Sequence, residues 1–258
     1  MDRYPSVFGS EQEAMAEVLR EIVRKRDNDA SEVNGLLASP YASGLYVFDD
    51  LVSVAGVGAF STNVLSSGTT SSELGETNHP GITRIISSAS VNSGGNIRAR
   101  ENALMLGGLE QANFVFSLDT LTNATYRMGF LDTVDSTDAV DGCYFEINSS
   151  GVIIGKTANN STRSSTATLT TLASSTWYHA RVLVNTDASS VEFQVYSDDG
   201  SLLGSASLTS NIPTSRVTGF GLIATKSAGA TQNLIKVDYL DFRIGRKLTR
   251  GDLTNDNQ

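Results

Sequence analysis

At 258 residues, with 40 % hydrophobic and 18 % charged residues and a formal net charge of −9, the chain has the apolar material for one large domain and a surface rich in Ser, Thr and Asn rather than charge. A net negative chain repels phosphate backbones and acidic lipid, which excludes nucleic acid and the membrane as expected partners. The single cysteine, Cys143, rules out an intrachain disulfide, and residues 1–8 lack the pattern of a signal peptide, so folding in a cytoplasm is expected.

In chain order, residues 9–26 carry the one helix signal. Ser10 is a good N-cap and Glu13, three positions on, completes a capping box. Met15, Val18, Leu19, Ile22 and Val23 fall at helical spacing and make one apolar stripe. A helix this short is marginal by itself in water. The stripe is therefore expected to serve attachment or oligomerisation. The organisation that follows is a helical arm over 1–36, a β-sandwich over 37–248 and a polar tail over 249–258.

From Gly44 onward only strand signals appear. Residues 45–48 are short and apolar, and 51–60 are apolar but broken by Gly56 and Gly58. Residues 61–80 read as a polar Ser/Thr/Gly loop that closes on a turn at His79, Pro80 and Gly81. Strands are expected over 83–91, 97–106, 113–118, 125–131, 143–147, 152–154 and 167–172. The clearest pattern is a hairpin in which Tyr178, Ala180, Val182 and Val184 alternate with Trp177, His179, Arg181 and Leu183. Val191, Phe193 and Val195 repeat the alternation, and a turn follows at Asp198 to Gly200. Strands over 202–208, 217–225 and 235–244 complete the set. The last one changes phase, which calls for a β-bulge near Tyr239 and Leu240. More than ten short strands separated by turns predict an all-β fold, a two-sheet antiparallel sandwich. Its expected core holds Phe114, Phe116, Phe130, Phe145, Val182, Phe193, Phe220 and Phe242.

The succession Arg127-Met-Gly-Phe130, Asp141-Gly-Cys-Tyr-Phe-Glu-Ile147, Thr176-Trp-Tyr-His-Ala-Arg-Val182, Gly219-Phe-Gly-Leu-Ile223 and Val237-Asp-Tyr-Leu-Asp-Phe242 resembles the concanavalin A-like lectin/glucanase jelly roll. It is similar in kind to the jelly-roll modules of bacteriophage virion structural proteins, and is clearest over 102–245. The resemblance implies two curved antiparallel sheets and leaves the function open, because lectins, glycosidases and virion proteins share the fold. With the arm, it leads to the expectation of a non-enzymatic virion structural protein, a head decoration, fibre or tail-associated protein. Such a protein is assembled in the host cytoplasm, docks through its arm to other virion proteins or, as a homotrimer, to copies of itself, and displays the jelly roll toward a host-surface glycan. The alternatives are a free carbohydrate-binding lectin and, less favoured, a glycoside hydrolase.

Hydrolysis of a glycosidic bond needs two carboxylates across a cleft. The glucanases of this fold carry acids on alternate positions of one strand, and this chain has no such run. Asp238 and Asp241, three apart, point to opposite faces unless the bulge realigns them, and Glu146 stands alone in its strand. No catalytic residues and no cofactor are therefore expected. Trp177, His179 and Arg181 are the candidate glycan-binding residues, because they share the solvent side of one strand. Asp132, Asp135, Asp138 and Asp141 are the sharpest acidic cluster, but their spacing is not that of a calcium loop. No metal site is assigned to them beyond this weak candidacy.

Overall fold

The computed structural model describes residues 45–49, 51, 60–99 and 104–244. The expected arm, the apolar stretch 52–59 and the polar tail lie outside the described residues. Within them the chain forms seventeen strands, numbered in chain order, in two antiparallel sheets.

The first sheet has eight strands. From one edge it runs β15 (Leu202–Leu208), β14 (Val191–Ser197), β13 (Trp177–Val184), β7 (Gln111–Leu118), β17 (Leu234–Ile244), β4 (His79–Ile86) and β3 (Thr69–Glu76). β1 (Leu45–Asp49) pairs with the second half of β17. The second sheet has nine strands. Its path is β11 (Thr162–Ser165), β10 (Val152–Asn159), β9 (Gly142–Ile147), β8 (Ala124–Leu131), β16 (Val217–Lys226), β5 (Gly94–Arg98) and β2 (Ser61–Leu65). β12 (Thr170–Thr171) joins β10, and β6 (Leu104–Met105) joins β16. This is the all-β sandwich that the alternation calls for.

The central hairpin forms as expected. Burial along β13 alternates strictly, with Tyr178, Ala180, Val182 and Val184 inward and Trp177, His179, Arg181 and Leu183 outward. All eight expected core residues are buried, and none is more than 3 % exposed. Phe220 is the hub. Its ring lies 5.2 Å from Phe114, 5.9 Å from Phe130 and 4.8 Å from Phe242, so it ties the two sheets together. Phe145 meets Phe193 edge-on at 5.3 Å. Such a contact stabilises by about 0.5–1.5 kcal/mol beyond the area it buries. The Phe193 ring also lies over Gly155, where a Cβ would come within 2.4 Å of it. A side chain at 155 would force the sheets apart.

Three expectations are corrected. Residues 61–80 are not one loop: β2, β3 and the start of β4 lie there. β3 is exposed along most of its length, so its Ser and Thr residues carry no apolar alternation to read. The turn falls at Thr77 and Asn78, where Asn78 takes a positive φ of 68°, and not at His79 to Gly81, which belong to β4. Between Arg163 and Thr171 the expected strand over 167–172 shrinks to β12, and β11 precedes it. The bulge lies one position earlier than expected, between Val237 and Tyr239. Asp238 is the extra residue. Tyr239 therefore turns to the outer face, where the alternation of Ile235 and Val237 had placed it inside.

Candidate binding face

The outer face of the eight-stranded sheet is built in rows by strand register. One row reads Tyr196, His179, Val115 and Tyr239 across β14, β13, β7 and β17. The next reads Gln194, Arg181, Asn113 and Asp241, and ends on Phe48 of β1. These rows enclose an open groove of about 560 Å³, with His179, Arg181, Asn113, Val115, Tyr196, Gly200 and Tyr239 among its lining. Val115 is a small apolar floor between two tyrosines, and imidazole, guanidinium and amide groups stand beside it.

The tyrosine hydroxyls are held in place. Tyr196 Oη donates to Gln194 Oε1 at 2.8 Å. Tyr239 Oη donates to Asp241 Oδ2 at 2.8 Å and lies 3.0 Å from Tyr46 Oη. Burial, then the bonds to Tyr46 and Asp241, push the Tyr239 phenol well above its ordinary range, so it stays protonated. Asn113 Nδ2 also donates to Asp241. Arg181 Nη2 donates to Gln111 Oε1 at 3.1 Å, while its Nε is buried with no hydrogen-bond partner. An unpaired buried donor is costly unless something external takes it up.

Beyond the groove the same face continues to Trp177. Its ring stacks on His79 with centroids 3.9 Å apart, and its Nε1 donates to Glu76 Oε2 at 3.1 Å. Glu76 also accepts from Lys236 Nζ at 2.6 Å, which, with the Trp177 bond, holds its carboxyl below the usual range.

Of the sequence candidates, Trp177, His179 and Arg181 thus stand on one face, His179 and Arg181 in the groove and Trp177 beside it. Sequence reasoning missed His79, Asn113, Tyr196, Asp198 and Tyr239. Register across strands brings them in, and only the outward phase of Tyr196 was visible in the alternation. The bulge realigns the two acids of β17: Asp238 receives His79 Nδ1 at 2.9 Å and Asp241 receives Tyr239, so both serve the outer face.

The acidic run 132–141 lies on the other side of the sandwich, folded over the outer face of the nine-stranded sheet. Its carboxylates diverge. Asp132 accepts from Val140 N, and Asp135 caps Thr137. Asp141 takes Arg216 and the Asn160 amide. Asp138 accepts from Lys156 Nζ at 2.8 Å and from Tyr144 Oη at 2.6 Å, with Arg127 at 3.2 Å and Arg163 at 3.0 Å. Glu146 shares Arg127 at 2.8 Å and Lys156 at 3.2 Å. Burial alone would raise Asp138, but the bonds from Lys156 and Tyr144 outweigh it and hold the carboxyl below its ordinary value. Asp138 and Glu146 are thus tied to Arg127, Lys156 and Arg163 within the protein itself.

Two antiparallel sheets with this strand order define a lectin/glucanase-type jelly-roll sandwich. The winged bean acidic lectin, solved with methyl-α-D-galactose, superimposes with a TM-score of 0.51 at 10 % identity over 78 % of this chain and 98 % of that one. The Bacillus licheniformis β-glucanase does so at 0.50, 14 % identity, 78 % and 97 %. A lectin and a hydrolase fit equally well, so these likenesses speak for the fold alone. Residues 78–238 match the family described as SO2946-like, C-terminal domain, and the chain belongs to that family. The crystal structure of SO2946 from Shewanella oneidensis MR-1, titled as a protein of unknown function, covers 81 % of this chain and 89 % of its own at 21 % identity, with a TM-score of 0.66. No curated protein matches the sequence.

Proposed function

We propose that the chain is a non-enzymatic recognition module that holds a saccharide on the outer face of the eight-stranded sheet. The observation that carries this reading is the make-up of the groove: two fixed tyrosines, an apolar floor and the polar groups of His179, Arg181 and Asn113. Flat apolar faces next to oriented polar groups suit the alternating C–H and hydroxyl surfaces of a pyranose ring. A hydrolase of the usual kind needs two acids at the bond to be broken. The reading extends to a setting. The apolar stripe Met15, Val18, Leu19, Ile22 and Val23 suits an arm that docks to virion proteins or to copies of itself, with a trimer favoured, so that the sandwich is displayed on the particle as a decoration, fibre or tail-associated protein.

A glycan array followed by calorimetry tests the binding reading. We expect saccharide hits that weaken in Tyr239→Ala and Arg181→Ala, and no release of reducing sugar. Hydrolysis of a bound polysaccharide would contradict the reading. Deletion of residues 1–36 tests the setting: the truncated protein is expected to keep its β spectrum and saccharide binding but to lose oligomerisation or particle incorporation. A truncated protein that retains all of them would favour a free lectin.

A further inference from the structure

The whole chain contains two histidines, His79 and His179. They lie far apart in sequence, yet each places Nε2 3.4 Å from the same atom, Oδ1 of Asp198. Donor atoms bound to one tetrahedral zinc ion at about 2.0–2.1 Å stand about 3.4 Å from each other. Both imidazole nitrogens therefore stand near one carboxylate oxygen, at about the spacing of neighbouring ligands.

His79 is prepared for this role. Its side chain is 5 % exposed, and its ring is pinned against Trp177. Nδ1 lies 2.9 Å from Asp238 Oδ2. An ionised carboxylate only accepts, so Nδ1 carries a proton, and in the neutral ring Nε2 then presents its lone pair. That Nε2 is buried and has no hydrogen-bond partner, because its approach to Asp198 does not have hydrogen-bond geometry. A carboxylate behind an imidazole is the arrangement that orients histidine ligands in metal sites. The other two groups are adjustable: the side chains of His179 and Asp198 are 41 % and 45 % exposed. Among the described residues no three such groups are already closed around one point, so closure requires a rotation of these two surface side chains.

We propose that His79, His179 and Asp198 bind a divalent transition-metal ion, Zn²⁺ foremost, with Asp238 orienting His79 and the fourth position taken by water. Two imidazoles and one carboxylate favour zinc and its neighbours over calcium or magnesium, which take oxygen ligands. The site is distinct from the acidic run 132–141. It adjoins the groove through His179 but does not depend on saccharide binding.

The test uses full-length protein without a histidine tag, stripped with chelator and titrated with Zn²⁺ by calorimetry and with Co²⁺ by visible absorption. One ion per chain and the intense d–d bands of tetrahedral cobalt are expected. His179→Gln and Asp198→Asn, both at exposed positions, should weaken binding at least about tenfold. Asp238→Asn should weaken it about 10–100-fold through the lost support of His79. His79→Gln should do the same if its circular dichroism shows the fold intact. Absence of one-to-one binding, or binding unchanged in both His179→Gln and Asp198→Asn, overturns the proposal.

Discussion

The outer faces of the two sheets are opposites. On the nine-stranded sheet, Arg127, Lys156 and Arg163 meet Asp138 and Glu146, and the 132–141 loop lies over Tyr144, Leu131, Ala158 and Ile223 as a small second apolar cluster. On the eight-stranded sheet, among the described residues, no loop covers the rows that run from Tyr196 to Tyr239 and from Gln194 to Phe48. Phe48 is 54 % exposed there, and Arg181 Nε, His79 Nε2 and Asp238 Oδ1 are buried without hydrogen-bond partners. A face whose charges are matched internally has little left for a ligand. A face that keeps unpartnered polar atoms and exposed rings has more to offer a ligand.

The largest effect that sharpens this contrast is on stability. Arg127→Ala should cost roughly 3–5 kcal/mol, because it strips a mostly buried cation from two carboxylates. Denaturant unfolding reads this cost. Any folded fraction should bind saccharide as wild type does. Next in size is a binding effect on the other face: Tyr196→Ala and Tyr239→Ala should each weaken saccharide binding by about 1 kcal/mol or more, with unfolding midpoints nearly unchanged for Tyr196→Ala. A large stability loss without a binding loss in the two tyrosine variants would invert the roles assigned to the faces.

Acid gives a smaller and graded effect. Asp138 titrates below its ordinary value of 3.8. A carboxyl lowered in the folded state contributes its full stabilisation above the unfolded value and loses it as pH falls through the lower, folded one. The 132–141 loop should therefore loosen only below about pH 4, seen as a change in the Tyr144 side-chain NMR signals. The smallest effect belongs to the exposed Lys236–Glu76 pair. Lys236→Ala should change stability by less than about 1 kcal/mol, since solvent screens such contacts.

Much of the sandwich was legible because burial on one face imposes a period of two. Phe114, Phe116, Val182 and Phe193 announce their strands, and Trp177, His179 and Arg181 announce an outer face. Two kinds of information were not legible. Strand β3 is exposed along most of its length, so its Ser and Thr residues look like a loop. The bulge at Asp238 has no local signature beyond a phase change, and a bulge one residue later would leave Tyr239 in phase with Ile235 and Val237, away from the groove. The meeting of His79 with His179 at Asp198 is a matter of tertiary register, which spacing along the chain does not record.

The central claim is that recognition belongs to the outer face of the eight-stranded sheet. The most direct measurement is an amide and side-chain NMR titration of isotope-labelled protein with the best saccharide from a glycan array. The account predicts shifts centred on residues 113–115, 179–181, 196–200 and 239–241, with the 132–141 loop unmoved. Shifts centred on that loop and on Arg127, Glu146 and Lys156 would contradict it.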